Sequence, residues 1–189
     1  MSAEPDKVTI RALQGALAPQ IASQIDAIFF EASSRSSFAS ALERAEFRER
    51  WLGRYLRGGS DVALVAQDCQ GVVAGYLVGA LEDPAGQERF ADIGYFRGAF
   101  QALCRRFPAH LHINLAPAFR SRGIGGRLIA AFAEHAATAG TPGLHVVTAR
   151  GMRNVGFYAR CGFIEVGATA WNGRDVVFLG RTLGIADQR

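Results

Sequence analysis

The sequence predicts a single α/β domain, residues 1–189, built on a mixed sheet. Three observations lead there. Between residues 109 and 161, strand-like and helix-like runs alternate, the order that places strands in parallel. Two pairs of β-rich runs, "VALVAQD" with "GVVAGYLVGAL" and "FIEVGATA" with "RDVVFLGRTL", are each joined by a short turn-forming stretch, which predicts antiparallel hairpins. A chain of 189 residues that is 49% hydrophobic and 20% charged suits one globular domain with a real core.

The elements follow in order. "KVTIRAL" (7–13) reads as a first strand. From Pro19 to Leu56 the pattern is helical, broken in "SSRSSFAS" (33–40) and stopped by the glycine pair in "RGGSD" (57–61). The first hairpin turns at "CQG" (69–71). A polar connection from Glu82 leads to one short helix over 96–106. "AHLHINLA" (109–116) is a strand. The run 123–140 is a helix, with Ile124, Leu128 and Phe132 spaced on one face and ended by Gly140, Pro142 and Gly143. "LHVVTA" (144–149) is a strand, "MRNVGFYARC" (152–161) a short helix closed by Gly162, and the final hairpin turns at "WNG".

Composition narrows the function. The net charge is +4 with a pI of about 9.3, but the basic residues form no block or tail. A small anionic ligand explains that balance as well as nucleic acid does, and no aromatic pair or zinc-finger spacing supports nucleic acid. Residues 1–10 lack an apolar core, so no signal peptide is expected, and the longest apolar run, 71–81, is too short for a bilayer. Cys69, Cys104 and Cys161 show no CxxC spacing and read as reduced thiols of a cytoplasmic protein.

The chemistry concentrates in "FRSRGIGGRLIAAF" (119–132). A helix start exposes unbonded amides and the positive end of the helix dipole. Glycine lets a phosphate approach those amides, because no Cβ intervenes. Arg120, Arg122 and Arg127 add positive field. The other reading is a glycine-bearing turn with solvated arginines. The stretch lacks the GK[ST] of a P-loop, and its glycines are too close together and too late in the chain for a dinucleotide fingerprint.

With the strand "HLHINLAP" before it and "GFYARCGF" after it, "RSRGIGGRL" resembles the GNAT superfamily of N-acetyltransferases. The motif [Q/R]-x-x-G-x-[G/A] is met by Arg120, Gly123 and Gly125. The following strand and short helix are met by "LHVVTA", Phe157, Tyr158, Gly162 and Phe163. The wording over 107–125 looks most like the acetyltransferase-like domain of O-GlcNAc hydrolases and its free-standing bacterial relatives. The resemblance implies a GNAT-type fold: a mixed, largely antiparallel sheet with a splayed parallel central strand pair, flanked by helices. It implies acetyl-CoA as co-substrate, no metal, and a small-molecule or peptide amine as acceptor. It also implies backbone contacts from Leu115 and Ala116 to the pantetheine arm. The pyrophosphate falls to the amides of Arg122, Gly123, Ile124, Gly125, Gly126 and Arg127, with Arg120 and Asn154 as further cofactor contacts. A monomer or a homodimer is compatible with this.

Transfer to an amine needs a donor for the carbonyl oxygen, a base, and an acid for the leaving thiolate. A strand N–H near Leu115 suits the first. Tyr158 matches the family's acid near the sulfur, its ordinary pKa near 10 being close to that of a thiol; the other reading is a buried aromatic. His110, His112 and Asn114 share one face of their strand, so a histidine can take the proton, or either can be a hydrogen-bonded core residue. Two histidines at i, i+2 also suit zinc, but no third ligand can be named. Two positions depart from the family: relatives often carry an acid where Asn114 stands, and the family's asparagine falls on Gly151. Those departures leave open a non-catalytic acyl-CoA-binding sensor or interaction module. Phe29, Phe30, Phe38 and Trp171 are candidates to line an acceptor pocket, with Glu31 or Asp92 offering charge; phenylalanines at helical spacing also read as core.

Overall fold

The computed structural model describes residues 8–33, 35, 37–57 and 61–184. Lys7 of the expected first strand, Ser34 and Ser36 of the expected helix break, and Gly58, Gly59 and Ser60 of the expected helix stop lie outside these. Seven strands hydrogen-bond in the order β1-β2-β3-β4-β5-β7-β6. They are β1 Thr9–Ala12, β2 Asp61–Gln67, β3 Val73–Ala80, β4 Ala109–Leu115, β5 Gly143–Ala149, β6 Ile164–Trp171 and β7 Arg174–Thr182. The sheet is mixed and mostly antiparallel, with β4 and β5 the parallel pair. That parallel ladder consists of Ala109↔Leu144 and His110↔His145, while β4 runs on to Leu115 and β5 to Ala149. Helices are α1 Pro19–Ala32, α2 Ala41–Trp51, α3 Gly94–Arg97, α4 Gln101–Arg106, α5 Ile124–Thr138 and α6 Asn154–Arg160.

The chain forms two compact units. The first comprises the residues up to Gly79 with His112–Phe132; the second comprises Ala80–Leu111 with the chain from Ala133 onward. β4 and α5 contribute to both.

In the first unit, Pro19 opens α1, where its missing N–H costs no helix bond. Ser40 caps α2 by accepting from the Glu43 amide at 3.1 Å. The hairpin turn at 69–71 forms because Asp68 accepts from the amides of Gln70 and Val72, both at 2.9 Å, and Gly71 takes φ +81°. Ile124, Leu128 and Phe132 of α5 are buried, as their spacing predicts.

In the second unit, the single helix expected over 96–106 is two, α3 and α4. Gly98, a weak helix former, ends the first turn by donating to the Gly94 carbonyl. The chain then restarts at Phe100, and both Phe96 and Phe100 are buried. The final hairpin turns through Asn172 (φ +47°) and Gly173 (φ +72°), the paired positive φ angles of a two-residue turn.

Candidate active site

α5 begins on a loop with two positive-φ residues, Ser121 (+62°) and Gly123 (+76°). The first intrahelical bond of α5 runs from the Arg127 amide to the Gly123 carbonyl at 3.2 Å. By helix geometry, the amides of Gly123, Ile124, Gly125 and Gly126 precede that bond and lack an intrahelical acceptor. The set expected for a pyrophosphate, residues 122–127, is therefore corrected at its end: the Arg127 amide belongs to the helix. A Cβ built at Gly123 or at Gly126 meets nothing within 4 Å. Packing thus gives no reason for glycine at 126, where it costs a helix up to about 1 kcal/mol relative to alanine. The open space fits a phosphate group seated on these amides.

The arginines depart from expectation. Arg127 donates Nη2 to the Val8 carbonyl at 2.9 Å, tying α5 to the chain just before β1. Arg120 donates Nε to the Leu115 carbonyl at 3.1 Å, bracing the end of β4. The Arg122 guanidinium lies 5.6 Å from the Phe119 ring centroid. Two of the three guanidiniums are thus engaged with backbone carbonyls. Their charge still adds to the field at the helix start, but their donors are not all free for a ligand.

On β4, the Ala116 amide donates to the Ala74 carbonyl of β3 at 3.0 Å. Its expected contact with a pantetheine arm narrows to its carbonyl accordingly. Peptide groups alternate along a strand, so the Leu115 N–H points away from β3. Gly75 of β3 is what lets β4 come so close, since a Cβ there falls 2.8 Å from the Asn114 carbonyl oxygen and 3.2 Å from Leu115 Cα. Nothing in the hydrophobic pattern of 71–81 marks that glycine out.

The β4 side chains divide between the units. In the first, His112 is half-buried, with its Nε2 3.2 Å from the Tyr55 hydroxyl and its ring edge-on to Trp51 and Tyr55. Burial, helped by the positive charge of Arg54, pushes its pKa down to about 4. Asn114 donates Nδ2 to the Tyr76 hydroxyl at 2.7 Å, so it is held by β3. In the second unit, His110 is buried in an aromatic nest, its ring near Phe90 and Phe96 and stacked on His145. His110 and His112 share one face of β4, yet their neighbours differ: the first is packed among aromatic rings and the second borders the Tyr55 hydroxyl and Trp51. Among the described residues no cluster of three metal-ligating side chains occurs.

Tyr158 on α6 is buried against Phe157 and Phe163. Burial drives its pKa well above the ordinary tyrosine value expected from the sequence, so it holds its proton throughout the physiological range. Asn154 at the start of α6 accepts from Thr148 Oγ1 at 3.1 Å, anchored to β5 by its carbonyl oxygen. Gly151 takes φ +76° with open space at its Cβ position. Asparagine is the residue that best tolerates that conformation after glycine, so the departure from the family pattern fits the backbone here.

The aromatic candidates for an acceptor pocket belong to both units. Phe29 is buried, and with Phe30, Phe38 and Phe47 it forms a cluster between α1 and α2. Arg44 covers Phe30 at 3.5 Å and Arg35 covers Phe38 at 4.8 Å. Of these rings Phe29 belongs to the core, while Phe30, Phe38 and Phe47 are half-buried. Trp171 sits in the second unit, edge-on to Tyr95 at 5.0 Å. Glu31 and Asp92 are exposed. The polar cluster of Tyr55, Tyr76 and Trp51 around His112 and Asn114 was not legible beforehand, because its members lie 36 or more positions away in the chain.

Comparison with known proteins bears on the whole arrangement. The protein SsHAT is similar in structure, with a TM-score of 0.69 and 21% identity over 93% of this chain and 98% of that one. A GCN5-related N-acetyltransferase from Kribbella flavida gives 0.65 and 16% identity over 93% and 98%. A spermidine N-acetyltransferase variant from Vibrio cholerae gives 0.60 and 18% identity over 93% of each chain. At these identities the likeness is one of fold. Residues 59–165, more than half of the chain, match the acetyltransferase (GNAT) domain family. With the glycine-opened α5 following β4 in the chain and β4 paired parallel to β5, this chain belongs to the acetyltransferase (GNAT) domain family.

Proposed function

We propose that the protein is an N-acetyltransferase that moves acetyl from acetyl-CoA to a primary amine by direct attack in a ternary complex. The observation that carries the proposal is the start of α5. Four amides there precede the first helix bond, and the Cβ positions of Gly123 and Gly126 are empty of protein. A diphosphate is a chemical partner for such a set, because it accepts several N–H bonds and favours the positive end of the helix.

The roles divide by residue. Gly123, Ile124, Gly125 and Gly126 bind the diphosphate through backbone, and Leu115 offers its N–H to the thioester carbonyl as negative charge develops. The thioester supplies the acyl group. His112, neutral at pH 7, takes a proton from the nitrogen as it adds to the carbonyl. Its pKa lies roughly six units below an ordinary alkylammonium, so it does not deprotonate the free ammonium, and the amine must arrive neutral. Asn114, fixed by Tyr76, orients the amine or a water. Tyr158 serves as hydrogen-bond donor to the leaving sulfur. His110, buried among aromatic rings, drops out as the base. In this reading residues 1–189 act as one acyltransferase domain, and the subgroup related to O-GlcNAc hydrolases is the one the sequence favours. No helix among the described residues is long and apolar enough to cross a membrane, and we place the protein in the cytoplasm.

The experiment is free-thiol release from acetyl-CoA across arylalkylamines, aminoglycosides, polyamines, amino acids and lysine peptides, with a thermal melt in acetyl-CoA alongside. Release above background with any amine supports the transferase. A ligand-induced rise in Tm without release points to a binding module, the reading that Asn114 and the low basicity of His112 favour. No shift at near-millimolar ligand removes both.

A further inference from the structure

Tyr55 sits in the short helical turn Gly53–Leu56, 57 positions from His112 in the sequence, and is 1% exposed. Its hydroxyl approaches His112 Nε2 at 3.2 Å, and its ring meets the imidazole edge-on with centroids 5.3 Å apart. Trp51 packs edge-on against the same imidazole at 5.5 Å. Among the described residues, the bond to Tyr55 is the hydrogen bond that this imidazole makes.

A neutral imidazole has one N–H and one lone pair, and whichever nitrogen bears the hydrogen decides what the other can do. If Tyr55 donates to Nε2, the lone pair is occupied, Nδ1 carries the hydrogen, and His112 cannot accept a proton. If Nε2–H donates to the phenol oxygen, the lone pair lies on Nδ1. We propose that Tyr55 is a positioning residue that accepts the Nε2–H of His112 and so presents Nδ1 as the nitrogen that takes the proton of the reacting amine. The proposal rests on the transferase reading above. In the step, one N–H bond of the adding amine breaks and an Nδ1–H bond forms. The positive charge passes to the imidazolium, and the Nε2–H bond to Tyr55 is retained throughout. The proton then leaves Nδ1 to water. The phenol oxygen favours the charged ring, partly opposing burial and the Arg54 charge. Trp51 and Tyr55 together prevent the ring from turning over, which would exchange the two nitrogens.

The test is NMR of the full chain labelled with 15N-histidine at pH 7.5, with the resonances of His112 assigned by their loss in His112→Asn. The chain has four histidines, so the spectrum is tractable. The expected result is an Nε2–H tautomer for His112 in the unmodified protein. In Tyr55→Phe, which keeps the buried ring, the tautomer moves toward a mixture. With an active acceptor, kcat falls by about tenfold to a hundredfold while KM for acetyl-CoA holds. An Nδ1–H tautomer in the unmodified protein overturns the proposal without any variant. So does a Tyr55→Phe protein with unchanged tautomer and unchanged kcat. An unmodified protein that acetylates no amine sinks the transferase reading instead, an outcome the NMR result does not depend on.

Discussion

Gly75→Ala is the perturbation whose effect the structure fixes most closely. β3 is buried along its whole length, and Gly75 is the point where β4 presses against it. The new methyl carbon falls against Leu115 Cδ2, 2.8 Å from the Asn114 carbonyl oxygen and 3.2 Å from Leu115 Cα. The leucine side chain can rotate away, but the two backbone atoms can only move with the strand. Carbon–oxygen and carbon–carbon contacts settle at roughly 3.3 to 4 Å, so β4 must shift by about 0.5 Å. Overpacking of that size costs about 1–3 kcal/mol. For a chain of this length that lowers Tm by about 2–12 °C. The same shift moves the Leu115 amide and strains the Asn114–Tyr76 bond, so the rise in Tm on adding acetyl-CoA shrinks as well. The assay is thermal denaturation with and without acetyl-CoA. A variant that melts within a degree of the parent and keeps the full ligand shift refutes the close approach and, with it, the placement of β4.

Four further outcomes are expected. Gly126→Ala raises Tm by about 1–4 °C, because helix propensity improves and the methyl meets nothing, whereas a fall in Tm shows that position 126 is packed. Gly123→Ala does the reverse: its φ of +76° costs a side chain about 1–2 kcal/mol, and calorimetry detects weaker binding of coenzyme A. Tyr158→Phe lowers kcat with little change in KM for acetyl-CoA, and since burial raises the tyrosine pKa, the parent shows no rate decline below pH 10 that the phenylalanine variant abolishes. Stability falls as pH drops from about 6.5 toward 4. Across that window the unfolded chain binds a proton at His112 that the folded chain refuses, which is worth at most about 3 kcal/mol and less for a half-buried ring. Chemical denaturation of the parent and His112→Gln at pH 7.5, 5.5 and 4.5 checks this, and equal slopes for the two proteins remove His112 as the cause.

The order of elements and the glycine-bearing start of α5 were legible in the sequence because both are written locally. β-rich runs and the turn residues between them mark β2, β3, β6 and β7, the spacing of Ile124, Leu128 and Phe132 marks α5, and the glycines ahead of α5 mark its start. Local signals also explain the misreading over 96–106, where a helical pattern runs on through Gly98 but the chain folds as two turns. What each site residue does was decided by partners distant in sequence. Burial and the Arg54 charge make His112 a weakly basic imidazole, hydrogen-bonded to Tyr55, while Phe90, Phe96 and His145 make His110 a core residue, though the two histidines lie two positions apart on one strand. Val8 and the Leu115 carbonyl engage two arginines whose spacing suggested a phosphate, and burial shifts Tyr158 from an ordinary phenol to a tightly held donor. A side chain's charge state and free donors depend on the dielectric and the neighbours around it, and those exist only once the chain has folded.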